Sequence, residues 1–268
     1  MENNYYTLIT GATGGLGQAF CNEFAKNGHN LFLTATNQER LNNLKQKLLQ
    51  EFPNIKIETL PCDLSNIEDI NNLTTHIINN IKINFIVSNA GYITEGSIQN
   101  SSCETLLKCI DVNCKGSVLL IKKLVDSRDL NNKLNIIVVA SMAANYPMPY
   151  MAIYSSTKSF LKNFMIAMRA EYKKQNIKIL IVEPGAIATS QNMKDAISAQ
   201  GLKGKLSSTP PELIAKKSYK KALKNKSRYV PGFFNKITLF FSGLLPMSLK
   251  IKSISKMWKK SQQKRGIN

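Results

Sequence analysis

Six short runs of β-branched and apolar residues recur from residue 5 to about residue 182: 5–10 (YYTLIT), 31–36 (LFLTAT), 55–60 (IKIETL), 83–88 (INFIVS), 134–139 (LNIIVV) and 177–182 (IKILIV). Between them lie longer stretches where apolar positions recur every three or four residues, as Leu41, Leu44, Leu48 and Leu49 do. The first pattern predicts buried strands, the second amphipathic helices. Strands alternating with helices form crossover units, and these build a parallel sheet covered on both faces. The expected fold is therefore α/β, a Rossmann-type doubly wound parallel sheet. No linker and no internal repeat divides it, so residues 1–230 read as one domain.

The pattern changes after Pro184. Residues 186–210 are rich in Ser, Ala, Gly and Lys and predict a mobile loop with short helical pieces. The run PPELIAKKSYKKAL predicts a helix entered through Pro210 and Pro211. Beyond Pro231, Phe233, Phe234, Ile237, Phe240, Phe241, Leu244 and Leu245 recur at helical spacing. Leu249, Ile254, Met257 and Trp258 follow Pro246 in the same way. Lysines 236, 250, 252, 256, 259 and 260 are interspersed. Residues 231–268 thus read as a basic, amphipathic helical extension.

Charge sharpens this division. The net charge is +19, and residues 201–268 hold 17 of the 36 basic residues with a single acid, Glu212. A basic helix bearing aromatics suits the interface of an anionic membrane. The competing reading is that its aromatics cover a pocket or a subunit contact. Its bulky aliphatic surface argues against nucleic acid as the partner. At 43% hydrophobic residues, the chain is too apolar to be disordered. Cys21, Cys62, Cys103, Cys109 and Cys114 form no C-x-x-C pair and read as free thiols in a reducing, cytoplasmic setting. The N-terminus has no secretory signal and no apolar run is long enough to span a bilayer, so attachment to a membrane is expected to be peripheral. His29 and His76 lack the neighbours of a metal site.

Two motifs carry candidate chemistry. Thr10-Gly11-Ala12-Thr13-Gly14-Gly15-Leu16-Gly17 follows the first strand and opens a helix. There a dinucleotide pyrophosphate rests on amide N–H groups, and glycines allow the backbone to come close. The spacing departs from G-x-G-x-x-G, with Phe20 in place of the third glycine. The second motif is Tyr154-Ser155-Ser156-Thr157-Lys158, with Ser141 at the end of a strand upstream. Tyr154 and Lys158 share a helix face. A neighbouring ammonium favours the phenolate, and a phenol so tuned can exchange a proton with a carbonyl or alcohol oxygen. A hydroxyl nearby can hold that oxygen.

Taken with Asn89-Ala90-Gly91, Asn113 and Pro184-Gly185, these motifs stand in the order and spacing of the short-chain dehydrogenase/reductase family. Residues 5–190 resemble that family. The resemblance implies that Gly11, Thr13, Gly15, Leu16 and Gly17 form the pyrophosphate loop and that Asp63 contacts the adenine, while Thr36 and Asn37 at the end of the second strand can hydrogen-bond a phosphate. It implies that Asn89, Ala90 and Gly91 line the cofactor, and that Pro184, Gly185 and Thr189 turn over the nicotinamide. Tyr154 would be the acid/base, Lys158 its partner and a ribose ligand, Ser141 the carbonyl anchor, and Asn113 the holder of a relay water. A homo-oligomer, dimer or tetramer, is implied as well.

The second strand ends Thr34-Ala35-Thr36-Asn37-Gln38, without the carboxylate that would bind the ribose of NAD and repel the phosphate of NADP. NADP(H) is therefore expected in preference to NAD(H), with Arg40 able to reach the extra phosphate. Met142, Ala143, Ala144, Tyr146, Met148 and Met151, with Met193 and Ile197, would line an adaptable apolar substrate site. The expected function is an oxidoreductase acting on a small lipophilic carbonyl or alcohol, acyl or steroid-like. The alternative is a nucleotide-binding regulatory or scaffold protein with a membrane-docking tail.

Overall fold

The computed structural model describes residues 5–189 and 191–266. The first four residues of the N-terminus read for a signal, and the last two of the extension, lie outside the described residues. Seven strands make one parallel sheet: β1 (Tyr5–Thr10), β2 (Asn30–Thr34), β3 (Ile57–Thr59), β4 (Lys82–Ser88), β5 (Leu134–Val139), β6 (Ile177–Val182) and β7 (Arg228–Tyr229). Their order is β3-β2-β1-β4-β5-β6-β7. β7 was not expected. It is two residues long, too short to carry a periodic pattern, and it is held by Val182 opposite Tyr229 and by Glu183 N–H donating to Tyr229 O at 2.8 Å. β2 stops at Thr34, two residues before its apolar run ends, which leaves Ala35 and Thr36 outside the sheet.

The connecting helices are α1 (Gly15–Lys26), α2 (Gln38–Glu51), α3 (Ile67–Asn80), α4 (Cys103–Ile110), α5 (Ser117–Asp126), α6 (Ala152–Glu171), α7 (Gln191–Ala199), α8 (Leu202–Ser207), α9 (Pro211–Leu223), α10 (Phe233–Leu244) and α11 (Met247–Arg265). Local chemistry starts several of them. Asn37 caps α2 by accepting from Arg40 N–H, and Asn66 caps α3 by accepting from Glu68 N–H. Pro211 occupies the first turn of α9, where its missing N–H costs nothing.

Alternate residues of each central strand feed two cores, as expected where both sheet faces are covered. Ile9, Leu31, Leu33 and Val87 pack with Phe20, Phe24, Leu41, Leu48, Ile214 and Tyr219 on the side of α1, α2 and α9. Leu8, Phe32, Ile86, Ile136 and Val138 pack with Ile70, Leu73, Leu120, Ile121, Leu161 and Met165 on the side of α3, α5 and α6. Strand order reverses between β1 and β4, which opens a crevice at the carboxyl ends of the strands.

The extension folds back over that crevice. Trp258 is buried with Cys109, Ala143, Met148, Met151 and Tyr154, and Ile254 and Met257 pack beside it. Asn235 is fully buried, its amide donating to Ser207 O at 2.9 Å and Pro231 O at 2.7 Å. Arg265 forms a two-pronged ion pair with Glu95, with Nη1 to Oε1 at 3.0 Å. The inner side of the extension thus covers the pocket. Among the described residues no helix is long and apolar enough to cross a membrane.

Candidate active site

The crevice is one continuous cavity of about 990 Å³, near the upper end of the roughly 300–1,000 Å³ typical of ligand pockets. At one end lies the turn between β1 and α1. Gly11 has φ +61°, and a Cβ there would stand 2.9 Å from Ala90 Cα. A Cβ on Gly17 would lie 2.1 Å from Gly11 O, and one on Gly15 would lie 2.8 Å from Thr189 Cβ. Only glycine lets this turn fold so tightly against its neighbours. The first turn of α1 has no side-chain cap, so its amides face the cavity free of a capping oxygen. An uncapped helix N-terminus in a tight glycine turn suits a pyrophosphate.

Thr10 and Asn89 lock this turn to the end of β4. The Thr10 hydroxyl accepts from Asn89 N–H at 3.0 Å and Ala90 N–H at 2.9 Å, and the Asn89 amide donates to Thr10 O and Gly11 O. Thr36 and Asp63 line the same groove. Partial burial raises the Asp63 carboxyl, but hydrogen bonds from Ser65 and the Lys108 ammonium 3.7 Å away together hold it below its ordinary value. Arg40 reaches across to donate to Thr13 O at 3.5 Å.

At the other end, Ser141, Tyr154 and Lys158 face the cavity together, joined by Gly91, Pro184, Gly185 and Thr189. Ser141, two residues beyond β5, caps a single 3-10 turn, Met142–Asn145, by accepting from Ala143 N–H at 3.1 Å. Tyr154 and Lys158 lie on the first turns of α6, both buried. The Lys158 ammonium stands 5.9 Å from the Tyr154 ring centroid and donates to Val139 O at 3.0 Å. Burial lowers the Lys158 amine to about 8. Burial also raises the Tyr154 phenol, against which a hydrogen bond with Ser141 lowers it. The simple expectation of a phenol lowered by its lysine is thus not met by this geometry, because desolvation acts on both groups.

Asn113 does not line the cavity. It is fully buried in a π-helical stretch, Asp111–Gly116, between α4 and α5. Its carbonyl accepts from Tyr92 N–H at 2.8 Å, and its amide donates to Tyr92 O at 2.9 Å and the Thr157 hydroxyl at 3.0 Å. A Cβ on Gly91 would lie 3.3 Å from Asn113 Oδ1 and 3.2 Å from Lys158 Nζ, so Asn113 backs the part of the wall that Gly91 and Lys158 line. Thr157 was missed by sequence reasoning although it lies inside the Tyr-x-x-x-Lys motif.

Around Ser141 and Tyr154 the cavity widens into an apolar chamber. Met142, Ala143, Tyr146, Met148, Met151, Met193 and Ile197 line it as expected, whereas Ala144 is buried outside it on the far side of the 3-10 turn. Phe234, Phe241, Leu245, Ile254, Met257 and Trp258 of the extension complete the walls. Glu183, fully buried just before Pro184, holds Arg228, approaches Lys162 and accepts from Asn145 at 2.7 Å. No sequence pattern marked that cluster. Gly185 is bound in turn to the extension, since a Cβ there would stand 2.7 Å from the Asn235 amide.

Residues 6–200 match the sequence pattern of the family described as short chain dehydrogenase. A dehydrogenase/reductase SDR family protein 7-like of Anopheles gambiae is 28% identical over 203 residues, 74% of this chain and 64% of that protein. A very-long-chain 3-oxoacyl-CoA reductase of Mus musculus is 28% identical over 196 residues, 69% of this chain and 60% of that protein. The chain thus spans under two-thirds of the length of these relatives. A structure from work on 7beta-hydroxysteroid dehydrogenase stereoselectivity superposes with a TM-score of 0.84 at 19% identity, covering 93% of this chain and 96% of the other. L-sorbose reductase of Gluconobacter frateurii, complexed with NADPH and L-sorbose, gives a TM-score of 0.75 at 23% identity over 85% and 95%. With the fold, the glycine turn and the family pattern in agreement, the chain belongs to the short-chain dehydrogenase family of oxidoreductases.

Proposed function

We propose that this protein is an NADP(H)-dependent oxidoreductase that interconverts a carbonyl and an alcohol on a lipophilic substrate, acyl or steroid-like. One observation carries the reading. Ser141, Tyr154 and Lys158 meet where a glycine-rich dinucleotide groove opens into an apolar chamber. The nicotinamide cofactor, when bound, supplies or accepts the hydride. Tyr154 gives a proton to the oxygen of the reacting carbonyl, and takes it back in the reverse direction. Ser141 donates a hydrogen bond to that oxygen as negative charge develops on it. Lys158, as an ammonium, stabilises the phenolate left behind, which regains its proton from solvent before the next turnover. Asn113 fixes the wall against which Lys158 is held.

Gly11, Thr13, Gly15, Leu16 and Gly17 would hold the pyrophosphate, with Asp63, Asn89, Ala90, Gly91, Pro184, Gly185 and Thr189 along the rest of the cofactor. The absence of a carboxylate at Ala35 or Thr36 and the reach of Arg40 to Thr13 favour NADP(H) over NAD(H). The apolar chamber favours a lipophilic substrate, as does the likeness to a reductase of very-long-chain 3-oxoacyl-CoA. The exposed Leu107 and Ile110 of α4, and the stacked Phe160 and Phe164 of α6, support a homo-oligomer. The basic extension supports a cytoplasmic protein peripheral to a membrane.

The test is NADPH consumption by the full-length protein with a panel of long-chain ketones, steroid ketones and 3-oxoacyl thioesters. Turnover with at least one of them, faster with NADPH than with NADH, is expected. No turnover across the panel with either cofactor would overturn the reading.

A further inference from the structure

The extension has two sides, and only the inner one is accounted for by the chamber. On α10, Phe234 and Thr238 face the cavity, as does Leu245 just after its end. About a third of a turn away, Phe233, Ile237, Phe240 and Leu244 form an apolar ridge in solvent, with Phe233, Phe240 and Leu244 exposed by 78%, 68% and 71%. Four large apolar side chains in a row are more than the scattered exposure of an ordinary surface. Phe241 belongs to both sides. It lines the chamber yet remains 58% exposed, so it stands at the chamber's rim.

α11 supplies the charge. Its inner face carries Ile254, Met257 and Trp258, and its outer face carries Lys252, Lys256, Lys259 and Lys260 at spacings of four, three and one residues. Those spacings make a lysine stripe along one side of the helix. No Asp or Glu occurs anywhere after Pro231, and among the described residues none of these lysines pairs with a carboxylate. Lys203 of α8 and Lys250 of α11 stand at the cavity edge as well.

We propose that the outer face of α10 and α11 docks on an anionic lipid bilayer, with the mouth of the substrate chamber at Phe241 opening into the docked face. The apolar ridge enters the interface while the lysine stripe meets the headgroups, the arrangement of an interfacial amphipathic helix. A second copy of the chain fits this face poorly, because it would set two lysine stripes together with no acid between them. Docking stands on the surface alone. The assignment of the cavity as a substrate chamber rests on the carbonyl oxidoreductase reading.

The consequence is a route. A lipophilic substrate would pass between bilayer and chamber without crossing water. Truncating the extension would not test this, since it would also strip Trp258, Met257 and Asn235 from the chamber and its Pro184–Gly185 turn. Point variants on the exposed side leave the chamber intact.

The full-length protein should co-sediment at low salt with vesicles of phosphatidylcholine and phosphatidylglycerol in equal parts, and at least about tenfold less with phosphatidylcholine alone. Lys252→Ala with Lys256→Ala should lower the partition coefficient by about 30-fold, the worth of two basic residues near an anionic surface. Phe240→Ser with Leu244→Ser should remove the binding that survives high salt. Trp258 is the only tryptophan, so Phe241→Trp in a Trp258→Phe background gives a single reporter at the rim. Its emission should shift to the blue on vesicle binding. Tyr154→Phe should bind vesicles like the wild type, which separates failure of docking from failure of the catalytic reading. Equal binding to both vesicle types, or no binding at low salt, would overturn the proposal. So would bound protein whose rim reporter does not shift, or a stable dimer that Leu244→Ser dissociates.

Discussion

Keeping Lys158 charged inside the protein costs stability, and the cost has a predictable pH window. Its amine falls from 10.5 to about 8 because burial disfavours the ammonium, which donates to Val139 O at 3.0 Å. Each unit is worth about 1.4 kcal/mol, so the charged side chain destabilises the fold by about 3 kcal/mol at neutral pH. The sign follows from proton counts. Between about pH 8 and pH 10.5 the unfolded chain binds the proton that the folded one has released, so stability attributable to this residue rises with pH across that window. Integrated from about pH 7 to about pH 10, the gain is about 2.5 kcal/mol. Lys158→Met keeps a similar volume without the charge. Urea unfolding of both proteins at the two pH values gives the difference directly, since every other titrating group cancels to first order. The wild type should gain about 2–3 kcal/mol on the variant as pH rises, while the variant loses turnover. A wild-type-minus-variant difference that is flat with pH would show that Lys158 is not held in a desolvating site.

Other consequences concern binding, the buried carboxylate and the extension. Arg40→Ala should weaken NADPH by about tenfold and leave NADH unchanged in a fluorescence titration, the worth of one charge-assisted contact; equal loss for both cofactors would remove Arg40 from the phosphate. Thr36→Asp should reverse the cofactor preference in the same titration by restoring the ribose contact and repelling the phosphate. Glu183→Gln leaves Arg228 and Lys162 without their shared carboxylate and should cost about 3 kcal/mol in urea unfolding, the usual penalty for breaking a buried pair. Arg265→Ala frees α11 from Glu95, and Trp258 emission should shift to the red as its end loosens, with KM for a lipophilic substrate rising more than kcat falls.

What the sequence made legible follows from what each segment must do alone. β1, β5 and β6 match their apolar runs end to end, because strands buried on both faces must be apolar throughout. The glycine turn was legible for a similar reason, since four glycines in eight residues mark a backbone that few other residues can follow. β7 was not, because two residues paired to β6 owe their conformation to that partner and to no pattern of their own. Asn235 and Glu183 were hidden for the same physical cause. Each is a polar residue whose role is set by partners far away in sequence, Ser207 and Gly185 for one, Arg228 and Asn145 for the other. The helices of the extension were legible from the spacing of their apolar positions, but periodicity does not say what a face packs against. Its inner side meets Met148 and Met151 only once the chain has turned at Pro246.

In the proposed reaction the phenol of Tyr154 exchanges a proton with the reacting oxygen. Tyr154→Phe removes one oxygen atom at a buried position that borders the cavity, and disturbs neither the glycine turn nor the chamber walls. The decisive measurement is steady-state NADPH consumption by wild-type and Tyr154→Phe proteins on the same lipophilic ketone, with NADPH affinity measured in parallel. NADPH binding should be unchanged and kcat lowered by at least about 10²-fold, the low end for losing a general acid. A folded Tyr154→Phe protein that binds NADPH and turns over at the wild-type rate would contradict this role for Tyr154.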